Sequence, residues 1–505
     1  MHPSRSRTAA VLGSVASVLF VATVAATPGS PFQPLLPAGA RPSGPFRWLA
    51  GVVGLDSLRG NALAAVGVAV VVLAALAFLA VLREAWRGAL SPRLVIGLAV
   101  AYHGVVLLLP LLFSRDVYSY AAYGRIAGVH HANPYVATPA DFPRDPIAIF
   151  VGPKWFATQA VYGPAFTVLS ALVTRAIGGL AGVIVAFRLI AAAASLATIA
   201  LVARLTRRVR PWREAFAVAA LGLNPVVLFQ SVGSGHNDLL VALSIAAAIT
   251  LLFSRRELLA TASLTLGALV KATAGLPLLL LVLVAVARRE RGTRARALAA
   301  HLAVASGITL AFSAPFLQTE DPTLGMLELA RHEGWLAPSR FFRRLLDAVS
   351  GDTLGVLARV AFGLALLAVL FEIGRWLLRR PNGGASPAAQ AAAWGWALLF
   401  LMLLGPVLLP WYVTWTLPLV WLLPRVPRAT LIGVGTALTV SQFAAEPTRF
   451  AGAYDVNVLF GHYVLTPVVI GFLAWLALDL VRRLRSGAPL GDEGEGEISP
   501  AAAER

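Results

Sequence analysis

The sequence predicts an all-α membrane protein that crosses the bilayer about 14 times. Of its 505 residues, 58% are hydrophobic and only 13% are charged, and apolar runs near the ~20 residues of a spanning helix recur along the chain. The net charge of +18 comes from short basic clusters between those runs, as the positive-inside rule describes, so it reports topology rather than a nucleic-acid partner. Composition excludes a soluble enzyme, and the absence of cysteine excludes disulfides, thiol catalysis and cysteine metal sites.

The N-terminal unit, residues 1–60, has an apolar run from 8 to 27 followed by a Pro/Gly-rich stretch. The run is interpreted as either a cleaved signal or a first anchoring helix, and both choices leave the next stretch outside. Two further spans, 61–82 and 94–113, flank an arginine-rich loop that belongs in the cytoplasm. The chain therefore emerges outside at Ser114.

The apolar run from 161 to 173 is too short for a span. It is interpreted as a juxtamembrane segment, because a crossing there would place four later arginines outside. Further on, two short helices between 258 and 287 form a predicted hairpin with Lys271 at its tip. The other spans are expected to begin near residues 180, 214, 239, 298, 354, 389, 412, 429 and 463.

Two of the segments that this threading places outside are long, one at 114–179 and the other at 318–353. Each combines charged, aromatic and proline residues, so we expect functional loops that carry interfacial helices. The first loop belongs to a predicted membrane core at 61–290, and the second to C-terminal membrane helices at 291–485. Residues 486–505 are predicted to form a disordered acidic tail in the cytoplasm.

Asp116 directly follows the predicted third span, in the sequence SRDVY. A carboxylate at that depth is partly desolvated, which raises its pKa, while the adjacent Arg115 opposes the shift. Such a balance suits a general base. An Arg-Asp cap of an interfacial helix explains the same residues equally well.

The turn GSGHND joins two predicted helices and carries His236, Asn237 and Asp238. Its small residues allow the backbone to approach a ligand closely. The imidazole and the carboxylate can bind a divalent cation or orient a phosphate, and Asp116 completes a metal site only if folding brings it near. Asp238 is also explained as a plain N-cap of the helix that follows.

Lys271 is the only charged residue in an apolar stretch of about thirty residues. An ionisable residue in such a place predicts a function, whereas snorkelling from a helix end is the alternative. Arg188, in the outer part of a span, is a further candidate for binding phosphate or for capping a polar patch. The threading brings Asp116, His236, Asp238 and Lys271 to the same outer face, which favours a shared site.

The sequence has no Walker-type phosphate loop, no GxGxxG after a strand and no GxSxG elbow. An enzyme without a nucleotide site and with outward acids needs a donor that is already in the membrane, and lipid-phosphate sugars meet this requirement. The alternative function is a secondary transporter or lipid flippase. Such a protein needs polar or broken helices near the membrane midplane and usually an internal repeat, and we find neither feature in the sequence.

His130, His131 and His332 lack metal-ligand spacing, and the run RRERGTRAR is interpreted as a positive-inside loop.

Four motifs occur in order: SRDVYSYAAYGR with NPY nearby, VYGP, LNPVVLFQSVGSGHNDLLVAL and LGALVKATAGLPLLLL. Together they resemble the actinobacterial polyprenol-phosphomannose-dependent alpha-1,6-mannosyltransferases, which are membrane glycosyltransferases of the GT-C fold. The likeness covers residues 94–287 strongly and the remainder chiefly as a helix pattern. The sequence departs from the family pattern in two ways. Asp116 follows the third apolar segment instead of the first, and the second outer loop carries no matching motif. The acceptor is therefore the least defined substrate.

The resemblance implies a GT-C-like bundle in the cytoplasmic membrane, with its active site facing outside and its C-terminus inside. Its implied partners are a polyprenyl-phosphate sugar donor, a lipid-linked glycan acceptor of the lipomannan kind and membrane lipids, with no nucleic acid. The expected reaction transfers mannose by inverting displacement and forms an alpha-1,6 linkage. No cofactor is assigned, and a divalent cation on Asp116, His236 and Asp238 stays open.

The resemblance also assigns Asp116 to the acceptor and the GHND turn with Lys271 to the donor. The candidates for binding the donor phosphate or another part of the substrate are Arg115, Arg188, His236, Asn237, Asp238 and Lys271. The candidates for stacking on sugar faces are Tyr118, Tyr120, Tyr123 and Tyr162, with Trp155 beside them. An interfacial aromatic belt explains these aromatic residues as well.

Overall fold

The computed structural model describes residues 3–40, 44–319, 321–334, 336–350, 354–379, 386–442 and 449–492. Across these ranges the protein is helical and has no strand, which confirms the all-α class. The helices are α1 (Pro3–Ala26), α2 (Pro45–Val52), α3 (Gly60–Trp86), α4 (Pro92–Leu107), α5 (Asp116–Gly128), α6 (Pro153–Phe156), α7 (Pro164–Ala176), α8 (Leu180–Val209), α9 (Glu214–Gly222), α10 (Asp238–Phe253), α11 (Glu257–Ala268), α12 (Gly275–Ala287), α13 (Arg294–Ser313), α14 (Pro338–Ser350), α15 (Gly355–Arg379), α16 (Pro387–Leu404), α17 (Arg425–Thr439), α18 (Ala451–Phe460) and α19 (Thr466–Ser486).

Eight helical segments in the described part of the chain are long and apolar enough to span a membrane. They are Arg5–Ala26, Gly60–Trp86, Leu180–Val209, Pro211–Val232, Arg291–Phe316, Gly355–Arg379, Pro387–Leu404 and Ala451–Ser486. Five apolar helices of 10–17 residues accompany them. The protein is therefore a multi-pass membrane protein, while the total of about 14 crossings stays a prediction.

The first long loop packs two short helices against each other. At Gly124 in α5, a Cβ atom would lie 2.4 Å from the backbone oxygen of Ser170 in α7. A helix crossing this close needs glycine at the contact, because any side chain would push the backbones apart. Most of the segment at 161–173, interpreted from the sequence as juxtamembrane, belongs to α7. This helix helps to fix α5, whose first residue is Asp116.

The predicted hairpin between 258 and 287 is confirmed. Helices α11 and α12 run to and from a short 3-10 turn at Ala272–Ala274, and Lys271 is the residue that caps this turn. Gly267, near the end of α11, lies against Ser244 of α10, where a Cβ would be 2.0 Å from the Ser244 hydroxyl. The tip of the hairpin is therefore held against α10.

The predicted helical span beginning near Tyr412 is wrong. The chain there forms two 3-10 segments, Pro410–Trp415 and Leu417–Leu419, and both are buried. Proline lacks the amide hydrogen that an α-helix needs, and prolines at positions 406, 410, 418 and 424 interrupt the apolar run. The last span also begins earlier than predicted, because the continuous helical segment starts at Ala451.

The beginning of the predicted disordered tail is ordered. Leu490 is completely buried, and its carbonyl accepts a 2.9 Å hydrogen bond from Trp396 Nε1. Asp492 forms ion pairs with Arg428 at 3.2 Å and with Arg210 at 3.6 Å. The rest of the predicted acidic tail, residues 493–505, lies outside the described residues.

Candidate active site

The GSGHND turn is fixed by hydrogen bonds to the segment between α4 and α5. Ser234 Oγ donates to the carbonyl of Leu112 at 2.5 Å, and the Leu112 amide donates to the carbonyl of Gly233 at 3.2 Å. Gly235 has φ +72° and would bring a Cβ within 3.3 Å of the Arg188 side chain. Glycine can adopt this conformation and leaves room for the close contact. The turn therefore holds the next three residues, 236–238, in a fixed position.

Asp116 is the first residue of α5 and lies next to this turn. Its Oδ2 is 3.6 Å from Nδ1 of His236, too far for a direct hydrogen bond. The Asp116 side chain keeps 23% exposure, so the carboxylate can be reached by a substrate. The helix N-terminus favours this negative charge, and the N-cap position itself is held by Arg115. The Arg115 side chain makes no capping hydrogen bond, so the predicted cap is present only as a position in the sequence.

The surroundings of Asp116 raise the pKa of its carboxyl group to about 6. Burial is the main cause, and the carboxylate of Asp238 adds to it. The ammonium group of Lys271 and a hydrogen bond with Ser114 act in the opposite direction. A carboxyl group with this pKa is mostly ionised at neutral pH and is a stronger base than an exposed aspartate.

Lys271 forms a buried ion pair with Asp238. Its Nζ lies 2.7 Å from Asp238 Oδ1, Asp238 has no exposed surface and Lys271 is 9% exposed. The same oxygen accepts a 2.7 Å hydrogen bond from Trp415 Nε1. The alternative that Lys271 snorkels to the surface is therefore wrong. The alternative that Asp238 caps α10 is also wrong, because Asn237 holds the N-cap position and Asp238 is the first residue of the helix.

His236 is enclosed by aromatic rings. Its imidazole stacks on Trp411 with ring centroids 3.7 Å apart, and its Nδ1 lies 3.3 Å from the Tyr120 hydroxyl. Burial lowers the pKa of His236 well below its usual value, and the charge of Lys271 lowers it further. The imidazole is therefore neutral at neutral pH and can offer a hydrogen bond but no positive charge.

The comparisons with known proteins identify the family of the chain. A family model described as "Alpha-(1->6)-mannopyranosyltransferase, N-terminal domain" matches residues 7–288. The chain is also 30% identical over 383 residues to alpha-(1->6)-mannopyranosyltransferase A of Mycobacterium tuberculosis, an alignment that covers 70% of this chain and 72% of that protein.

The chain belongs to the alpha-(1→6)-mannopyranosyltransferase family. The protein is therefore a membrane glycosyltransferase, and the resemblance found in its sequence motifs is confirmed. No solved structure matches this chain. The roles of individual residues in this mannosyltransferase must accordingly be derived from its own geometry.

Sequence reasoning missed three aromatic residues of the site. Trp411, Tyr412 and Trp415 lie on the 3-10 segment that replaces the predicted helix. The Tyr412 ring lies 4.5 Å from Lys271 Nζ, and the Tyr412 and Trp415 rings stack 4.2 Å apart. The available signal was the aromatic density of PWYVTW beside prolines, which a hydropathy criterion counts only as apolar.

Arg188 lies beneath the turn, and its guanidinium group donates hydrogen bonds to backbone carbonyls. Its Nη1 donates to the carbonyl of Leu109 at 2.6 Å, and its Nη2 donates to the carbonyl of Val106 at 2.5 Å. Val106 lies in the last turn of α4 and Leu109 two residues beyond its end, so the guanidinium group holds the point where this helix stops. The arrangement corresponds to the predicted capping of a polar patch. Arg115, the other predicted phosphate-binding arginine, is partly exposed next to Asp116.

The four predicted sugar-stacking tyrosines are buried. Tyr118 donates its hydroxyl hydrogen bond to the carbonyl of Leu35, and Tyr123 donates to the carbonyl of Thr158 at 3.0 Å. Tyr120 packs edge-on against Tyr162 with centroids 4.8 Å apart. Their burial gives them a packing role beneath Asp116 and leaves no open ring face for a sugar. Trp155, which is half-buried, stacks on His332 with centroids 6.0 Å apart.

The proposed cation ligands do not form a metal site. Among the described residues, no group of three or more His, Asp or Glu side chains is arranged to hold a metal ion. Oδ1 of Asp238 already accepts hydrogen bonds from Lys271 and from the Trp415 indole, so it is engaged by these two donors.

A cavity of about 300 Å³ opens beside Lys271. Lys271, Thr273, Tyr412 and Trp415 lie along its wall, and the remaining wall is almost wholly apolar. The apolar residues include Leu276, Met326, Leu327, Leu370, Leu401 and Val407, which come from α12, α15, α16 and the second long loop. A ligand with an anionic group and an apolar chain fits this distribution.

Proposed function

We propose that the protein transfers mannose from a polyprenyl-phosphate mannose to a lipid-linked glycan and forms an alpha-1,6 linkage. In this reaction Asp116 removes the proton of an acceptor hydroxyl as its oxygen attacks the anomeric carbon of a beta-linked donor. The bond from that carbon to the phosphate oxygen breaks at the same time. Inversion converts the beta donor into an alpha product, and the lipid phosphate leaves.

The position of Asp116 beside the Lys271–Asp238 pair is the observation that carries this proposal. An accessible carboxylate with a pKa of about 6 suits the abstraction of a hydroxyl proton near neutral pH. The acidic neighbour Asp238 is engaged by Lys271 and Trp415. Of the two carboxylates, Asp116 is therefore the one that can contact the acceptor hydroxyl.

The cavity beside Lys271 supports a lipid-linked donor. A lysine ammonium group has three donors, and Asp238 takes one of them in the structure. The others can meet the leaving phosphate, whose charge must be neutralised where water is scarce. The apolar wall of the cavity then suits the polyprenyl chain, while the neutral His236 contributes a hydrogen bond at most.

The proposed orientation places the active site outside the cytoplasmic membrane and the C-terminus inside. The basic runs around residues 207–213 and 288–296 support this topology. The first basic run follows α8 and the second follows α12. In the predicted threading, each of these helices starts outside and ends in the cytoplasm. The structure contains one broken segment of the kind that a transporter or flippase needs, at 410–419. The family assignment nevertheless favours the transferase.

Transfer of radiolabelled mannose from polyprenyl-phosphate mannose to membrane acceptors tests the proposal. Asp116→Asn should lower transfer by about 100-fold to 10,000-fold, the range lost with a general base, and should leave donor binding intact. Asp141→Asn is the matched control, because Asp141 is an exposed carboxylate of the same loop. Equal insertion of both variants is checked first by detergent extraction.

Two results would contradict the proposal. Undiminished transfer by Asp116→Asn removes the general-base assignment, and a product that resists alpha-mannosidase excludes inversion of a beta donor. Loss of transfer in the Asp141 variant as well would show that the loop is sensitive to any change of charge.

A further inference from the structure

A charged groove among the described residues is lined by the ends of helices that lead away from Asp116. It has a volume of about 790 Å³ and is lined by the first turn of α11, the first turns of α13 and the loops that precede them. Arg255, Arg256, Arg289 and Arg296 line it together with a single acid, Glu257. Neither substrate of the proposed reaction uses this groove.

The groove is at the opposite end of the helices that form the active site. Helix α10 begins at Asp238 and ends at Phe253, just before Arg255. Sixteen residues of α-helix extend about 24 Å. Helices α11 and α12 likewise run between the Lys271 turn and the groove. The groove therefore lies on the other side of the membrane from the active site.

Three of the arginines in the groove have no acidic partner. Arg289 forms an ion pair with Glu257 at 3.1 Å, and Arg288 shares the same carboxylate at 3.9 Å. Among the described residues, Arg255, Arg256 and Arg296 have no carboxylate within ion-pair distance. The sole acid of the groove is thus engaged, and three guanidinium groups face the open volume.

The walls of the groove are apolar below the arginines. Leu258 and Leu259 are 43% and 51% exposed there, and Ala297 and Ala300 of α13 continue the apolar surface. The other uncharged lining residues are Thr293 and His301. Only 11% of the apolar part of α13 is buried inside the protein, so this helix faces lipid. A ligand at this position meets positive charge at the membrane surface and hydrocarbon just beneath it.

We propose that this groove binds the headgroup of an anionic phospholipid, with the acyl chains along Leu258, Leu259 and α13. Arginine matches the geometry of a phosphate with paired hydrogen bonds, and basic pockets between spanning helices suit acidic headgroups. A zwitterionic lipid fits less well, because its ammonium group finds no free carboxylate in the groove. The bound lipid would join the α10–α11 turn to the α12–α13 turn.

The test uses the full-length protein in detergent and measures its affinity for phosphatidylglycerol, phosphatidylcholine and inorganic phosphate. The groove variant is Arg255→Gly with Arg256→Gln and Arg296→Gln. Arg255 has φ +57°, which glycine adopts without strain, so this change removes a charge and relaxes the turn. The matched control is Arg482→Gln with Arg485→Gln, which removes two exposed arginines at the end of α19.

We expect the native protein to bind phosphatidylglycerol far more tightly than phosphatidylcholine. Roughly fivefold in affinity is lost for each arginine, and about 100-fold for the three together. The control should change the affinity by less than about twofold, because its arginines lie outside the groove and the effect of a charge falls off within a Debye length. If the triple variant is unstable without lipid, Arg296→Gln alone should still lose about fivefold.

Three results would overturn the proposal. Equal affinity for the two lipids removes the preference for an acidic headgroup. An unchanged affinity in a folded groove variant, or an equal loss in the control, shows that the lipid binds elsewhere or to surface charge in general. Inorganic phosphate that binds as tightly as the lipid identifies the ligand as a free anion.

Discussion

Replacing Lys271 by methionine leaves a carboxylate in a site that excludes water. Asp238 has no exposed surface, and without Lys271 its Oδ1 keeps only the hydrogen bond from Trp415 Nε1 at 2.7 Å. Its Oδ2 already has no partner among the described residues. Breaking a buried ion pair by removing one partner costs about 3–5 kcal/mol, so Lys271→Met should lower the free energy of unfolding by this amount.

Removing the charge of Asp238 as well separates structure from catalysis. Replacing a whole buried ion pair by neutral groups is often close to neutral for stability. Lys271→Met with Asp238→Asn should therefore recover most of the lost free energy of unfolding. Mannosyl transfer should stay low in both variants, by about 100-fold to 1,000-fold, because the charge that stabilises the leaving phosphate is still missing.

Unfolding by SDS titration in detergent micelles measures stability, and transfer of radiolabelled mannose measures activity. Lys154→Met is the matched control, because Lys154 is the other lysine of the sequence and is exposed. A loss below about 1 kcal/mol in Lys271→Met would refute the argument that the pair is desolvated. Restored transfer in the double variant would give Lys271 a structural role only.

Three other predictions follow from the same geometry. Because the pKa of Asp116 is raised to about 6 and the base must be ionised, kcat/KM should be level above pH 7 and fall about tenfold per pH unit well below 6. Trp415→Phe removes a hydrogen bond to the charged Asp238 and should destabilise the protein by about 1.5–3 kcal/mol. Gly124→Ala, whose Cβ would strike the backbone of α7 at 2.4 Å, should cost about 1–3 kcal/mol, whereas Gly104→Ala, which enters open space, should stabilise α4 by about 0.5–1 kcal/mol.

Each of these predictions has a result that excludes it. A pH profile that is flat down to pH 5 would mean that Asp116 does not titrate as the base. Trp415→Phe with native stability would show that Asp238 finds another donor. Equal stability of the two glycine variants would mean that α5 and α7 can separate without cost.

The sequence was sufficient for those features of the site that depend on local pattern. The end of an apolar run placed Asp116 near the membrane surface, and a lone charge in apolar sequence placed Lys271 at a hairpin tip. Positive-inside counting then put both on one face with the turn that holds His236. The structure brings these residues together, with Asp116 and His236 3.6 Å apart.

The contacts that define the site depend on packing between distant segments and could not be predicted. Lys271 and Asp238 are 33 residues apart, and Trp415 is 177 residues from Asp238. No local pattern states which carboxylate a buried lysine will meet. Arg188 shows the converse, because its place in a span allowed either phosphate binding or capping of a polar patch, and the structure shows it bound to the carbonyls of Val106 and Leu109.

The segment Pro410–Trp415 was predicted as a helix because hydropathy measures composition and not the ability to complete a helix. Unwound backbone at membrane depth is tolerated only where protein or a cavity surrounds it, and this segment is buried throughout. Its irregular path directs two indole rings toward one site, Trp411 onto His236 and Trp415 onto Asp238. The segment that replaces the predicted span therefore supplies the aromatic wall of the site.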